Sequence, residues 1–106
     1  MELVITDSNF DTEVRESSMP VMVDFYADWC VPCKMMAPLV EQLAEEYSGK
    51  CKIGKCNVEE NPKAQTEFKV MSIPTFIFFK DGKAVDKITG GVSKTELEEK
   101  IKQVLA

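Results

Sequence analysis

Histidine is absent from all 106 residues. Without imidazole, the one side chain whose ordinary pKa lies near neutrality is missing. A general base must then be a carboxylate, and a metal site would have to use sulfur or oxygen. Positive charge is scarce as well: 13 Lys and Arg face 18 Asp and Glu, for a net charge of −5. That balance argues against a nucleic-acid or anionic-membrane surface, since both need clustered cations. No apolar run approaches the ~20 residues of a membrane span, and the opening Met1-Glu2-Leu3-Val4 has no basic export-signal region. A cytoplasmic protein is the expectation. In a reducing cytosol, four cysteines point to catalysis, metal binding or simple burial before a disulfide framework.

With 44% hydrophobic and 29% charged residues, the chain reads as one globular domain, residues 1–106, able to bury roughly 60–70% of its unfolded surface. Leu3 to Ile5 is a short strand candidate, after which Thr6 or Asp7 could cap a helix reaching about Ser17 with Phe10 and Val14 inward. Val21 to Ala27 is apolar except for Asp24, the pattern of a central strand covered on both faces. From Pro32 to Tyr47 the apolar Met36, Leu39, Val40, Leu43 and Tyr47 recur at steps of three and four, predicting a helix kinked at Pro38 and ended by Ser48-Gly49. Cys51 to Val58 is a third strand. Asn61 and Pro62 open a short helix as cap and first residue. Thr75 to Lys80 and Ala84 to Thr89 form a hairpin across Asp81-Gly82-Lys83. Ser93-Lys94-Thr95-Glu96 is a capping box opening a last helix, with Leu97, Ile101, Val104 and Leu105 on one face. The order β-α-β-α-β-α followed by β-β-α makes an α/β fold with a mixed sheet and helices on both faces.

Chemistry concentrates in Trp29-Cys30-Val31-Pro32-Cys33-Lys34. Two cysteines at this spacing at a helix start can close a disulfide without unfolding the helix. Cys30 would sit where free N–H groups and the helix dipole favour a thiolate, the dipole contributing ~0.3–1 kcal/mol. Cys33, one turn inside, would be more buried. The roles that follow are Cys30 as attacking nucleophile and Cys33 as resolver of the mixed disulfide. Zinc is a competing reading, because Cys30-X2-Cys33 and Cys51-X4-Cys56 have ribbon-like spacing. On one strand, however, Cys51 and Cys56 would stand ~17 Å apart and face opposite ways. Asp24, a carboxylate inside a central strand, should titrate high and is the best acceptor for the Cys33 proton; a structural pairing with Lys55 is the alternative.

The segment Val23 to Lys34, the in-helix Pro38, Ile73-Pro74-Thr75, Asp81-Gly82 and Gly90 together resemble the thioredoxin family, in its order and spacing over essentially the whole chain. The resemblance implies a thioredoxin fold, a central five-stranded sheet flanked by four helices. It implies a protein-disulfide reductase and electron carrier with no bound cofactor beyond a redox-active Cys30–Cys33 disulfide. It also implies a cis Pro74 beside that pair, Lys55 near the buried Asp24, and a client-binding surface of Trp29, Val31, Pro32, Ile73, Pro74 and Gly90. A thioredoxin reductase would supply electrons, the clients would be disulfide-bearing proteins, and the chain would act as a monomer. Val31 departs from the glycine usual in the family and adds β-branched apolar surface beside Cys30. Two rival functions are a non-catalytic binding subunit on the same fold and a zinc-binding domain.

Overall fold

The computed structural model describes residues 2–106. Five strands, β1 (Leu3–Val4), β2 (Val21–Tyr26), β3 (Lys52–Asn57), β4 (Thr75–Lys80) and β5 (Lys83–Thr89), form one sheet in the order β1-β3-β2-β4-β5. The first three run parallel, and β4 and β5 are antiparallel to their neighbours. The sheet is therefore mixed, as the element order implies. Helices α1 (Val31–Glu46), α2 (Pro62–Glu67) and α3 (Lys94–Leu105) join a turn of π-helix at Asp11–Arg15, giving four helical segments among the described residues.

Strand β2 lies at the centre, between β3 and β4, and its near-continuous apolar run is buried on both faces. Side chains alternate along a strand, so Val21, Val23 and Phe25 enter one apolar cluster with Phe10, Val14, Cys56 and Phe79. Met22 enters the other, with Val40 and Leu43 of α1 and Leu97 and Ile101 of α3. By the same alternation Asp24 shares the side of Met22, under α1. On the first face the rings of Phe10, Phe68 and Phe79 meet at 5.2 to 5.8 Å between centroids.

Helix α1 continues through Pro38, which has no N–H to donate to the preceding turn. Several other local expectations are corrected. Asn61 stands at the cap position of α2 but makes no capping bond; its Oδ1 accepts the Asp7 N–H at 2.8 Å. The cap comes from Asp7, whose carboxylate accepts from Lys63 N–H and Ala64 N–H at 3.1 and 2.9 Å. Asp7 thus caps a helix more than fifty residues away rather than its own. Leu105 is exposed, while Leu97, Ile101 and Val104 are buried as expected. Strand β5 begins at Lys83 because Asp81 and Gly82, with φ of 53° and 79°, make a two-residue turn of the primed type that matches strand twist. A Cβ on Gly82 would run into the Arg15 carbonyl, so that position needs glycine for space as well as for its dihedral. The Ser93–Glu96 capping box forms as read.

Candidate active site

The cysteine pair stands where β2 gives way to α1. Cys30 is the N-cap of α1, with extended φ and ψ of −81° and 109°, and its Sγ accepts the Cys33 N–H at 3.2 Å. Proline at the next-but-one position suits the first turn, where the missing N–H has no helical partner to lose. Cys30 and Cys33 are joined as a disulfide, with Cα atoms 5.2 Å apart, inside the range a bridge requires. Both are 4% exposed, so the expected difference in burial is not seen. The asymmetry lies in their partners. Cys30 Sγ faces a backbone donor, which favours the thiolate, whereas Cys33 lines a cavity of about 160 Å³ that also holds Asp24, Lys55, Glu2 and Glu41.

Asp24 is 5% exposed, and its Oδ1 has no hydrogen-bond partner among the described residues. Burial, reinforced by the negative charge of Glu2 and opposed by Lys55, pushes its carboxyl up to about 7. Lys55 is its register partner on β3 and stands with its Nζ 5.9 Å from the centre of the Tyr26 ring. Lys55 therefore tempers Asp24 without neutralising it. Glu2 was not legible as a site residue: only the placement of β1 against β3, which sets Val4 opposite Lys55, brings it here. A carboxylate just ahead of an edge strand carries no local signal of that contact.

Around the pair, Trp29 and Val31 are 64% and 63% exposed, and Pro32 is exposed too. The Ile73–Pro74 bond is cis. Pro74 is buried and Ile73 half-buried; the Pro74 carbonyl accepts the Gly90 N–H at 2.8 Å, tying the loop before β4 to the end of β5. Met71, on that loop, is 91% exposed and did not stand out in the sequence. Cys51 and Cys56 are free and buried, in the two different apolar clusters. One ion cannot take both. Burial pushes their thiols up to about 11 and about 12, so they are poor nucleophiles.

A disulfide that can open and close within one helical turn, leaving the helix in place, is the working part of a thiol-disulfide oxidoreductase, and the chain is of that class. The thioredoxin family model matches residues 2–103. The chain is 46% identical over 101 residues to thioredoxin 1 of Nostoc sp., covering 95% of this chain and 94% of that protein. To the thioredoxin of Staphylococcus saprophyticus it is 50% identical over 101 residues, 95% of each chain; to thioredoxin 1 of Synechococcus elongatus, 50% over 93 residues, 88% and 87%. The chain belongs to the thioredoxin family. It is a protein-disulfide reductase whose redox group is its own cysteine pair.

Proposed function

We propose that Cys30 attacks the client disulfide, Cys33 resolves the mixed disulfide, and Asp24, tempered by Lys55, takes the proton that Cys33 must lose. The observation that carries this division is the contrast at the pair: Cys30 Sγ on the Cys33 N–H, Cys33 on the cavity of Asp24. In the first half-reaction the Cys30 thiolate forms a bond to one client sulfur, and the other client sulfur leaves as thiolate. In the second, the Cys33 S–H bond breaks, its proton passes to Asp24, and the Cys33 thiolate bonds to Cys30 Sγ as the second client sulfur departs. Two electrons have moved to the client. A flavin-containing thioredoxin reductase would return them.

Clients would dock as an extended segment along the Ile73 backbone, between Trp29, Val31 and Pro32 on one side and Pro74 and Gly90 on the other. Exposure of Trp29 and Val31 supports this, as does the absence of any backbone hydrogen bond at Ile73 among the described residues, which leaves a peptide edge for strand addition. The chain would work as a single-domain, monomeric electron carrier in the cytoplasm. No helix among the described residues is long and apolar enough to cross a membrane, and two unbridged thiols suit a reducing compartment.

The test is substitution of each cysteine. Cys33→Ser should accumulate mixed disulfides with clients, seen by non-reducing electrophoresis and mass spectrometry. Cys30→Ser should lose insulin-disulfide reduction entirely. Residual turnover in Cys30→Ser, or trapping by that variant instead of Cys33→Ser, would reverse the assignment.

A further inference from the structure

Beside Asp24 lies a second carboxyl group that the reaction as described leaves unused. Glu2, immediately before β1, lines the same cavity as Asp24 and Cys33. Its Oε2, like Asp24 Oδ1, is buried with no hydrogen-bond partner among the described residues. On its other side Glu2 adjoins Glu41 of α1, which lines the same cavity and whose negative charge further raises the proton affinity of Glu2.

Asp24 is buried, Glu2 half-buried and Glu41 exposed. The three carboxyl groups thus form a series from the interior to solvent. The charges facing them are Lys55 of β3, Lys34 of α1 and Asp28 of the loop between β2 and α1; Tyr26 of β2 completes the ionisable lining. Lys55 is the one cation whose charge opposes the proton affinity of both Asp24 and Glu2. Two neighbouring carboxyl groups, one buried and one half-buried, with one ammonium acting on both cannot both ionise cheaply, so the pair keeps one proton to a higher pH than either would alone.

We propose that Glu2 is a positioning residue for the proton transfer, setting the charge that Asp24 faces and linking its carboxyl to Glu41 and solvent. The inference rests on Asp24 accepting the Cys33 proton. When the Cys33 S–H bond breaks, the proton moves to Asp24, and the electron pair stays on sulfur to bond with Cys30 Sγ as the bond from Cys30 to the client sulfur breaks and that sulfur leaves as thiolate.

The decisive variant is Glu2→Gln, which keeps the shape and removes the charge. In the reduced protein, the carboxyl carbon resonance of Asp24 followed by NMR should titrate at lower pH, with proton affinity down about tenfold, the size expected for removing one nearby charge from a partly buried pair. The pH midpoint for resolving a preformed mixed disulfide should move the same way. Glu2→Asp, which retains the charge, should restore both. An Asp24 titration unmoved in Glu2→Gln would overturn the inference, whether or not the melting temperature falls, since a merely structural glutamate would affect only the latter. Asp24→Asn separates the two readings: if it resolves mixed disulfides at the wild-type rate and pH profile, the role of Asp24 itself fails, whereas an unmoved Asp24 resonance in Glu2→Gln removes only that of Glu2.

Discussion

At Asp24 the requirements of the reaction and of the fold oppose each other. A group that titrates at about 7 instead of its ordinary 3.8 can take a thiol proton near neutrality, but the same burial makes its ionised form costly. The folded state binds this proton more tightly than the unfolded chain does. Its contribution to stability is therefore complete below about pH 4 and is lost as pH rises toward 7. At ~1.4 kcal/mol for each tenfold change in proton affinity, the loss amounts to about 4 kcal/mol. Urea unfolding of oxidised Asp24→Asn and wild type should thus show a stability difference that grows in the variant's favour by up to about 4 kcal/mol between pH 4 and pH 8. A difference that stays constant over that range would mean the carboxyl titrates normally. Both proteins should keep some pH dependence through Glu2, whose burial raises it to about 7 as well.

Among the elements, α2 shows where local reading succeeds and where it ends. Proline at its first position was legible, because it acts within one turn. The source of its cap was not. Asp7 reaches Lys63 N–H and Ala64 N–H, while Asn61 turns away to hold Asp7 N–H and the Asn57 carbonyl, and both choices follow from packing the β1 loop against α2. Strand β2 and the placement of the Cys30–Cys33 turn could be read, since burial pattern, turn chemistry and cap spacing are properties of neighbouring residues, whereas the equal burial of the two cysteines could not. Gly54 weakened the β3 signal for a reason visible only in three dimensions: a Cβ there would come within 2.6 Å of Ile5 Cγ1 on the adjoining segment. The crossed cap gives a specific expectation. Asp7→Ala should destabilise the fold by about 1 kcal/mol, the usual cost of losing a helix cap, with hydrogen exchange at Lys63 and Ala64 accelerated. If exchange there is unchanged and Thr6 to Asn9 alone loosens, Asp7 acts only within its own loop.

For the molecule as a whole, the site has to exist in two redox forms on one framework. The framework is the five-stranded sheet with an apolar cluster on each face, the bridged cysteines packing into one of them. The bond from Cys33 N–H to Cys30 Sγ can persist when the sulfurs separate, because a thiolate is a stronger acceptor than a bridged sulfur. Oxidation then acts chiefly on the unfolded chain, where closing a loop with a sequence separation of three removes entropy worth about 2 kcal/mol. Linkage carries that quantity into the redox equilibrium. Whatever the disulfide adds to folding stability, folding must add to the disulfide, making it harder to reduce than the same bridge in the unfolded chain by roughly 40 mV at ~30 mV per 1.4 kcal/mol. Denaturant titrations of the oxidised and reduced forms at pH 6 should give matching circular dichroism before unfolding and a free energy larger in the oxidised form by about 2 kcal/mol. The gap should narrow as pH rises and a Cys30 thiolate stabilised by the helix start begins to favour the reduced fold. A reduced form equal to or more stable than the oxidised one already at pH 6 would show that the folded framework prefers the dithiol, and would recast the protein as a disulfide donor.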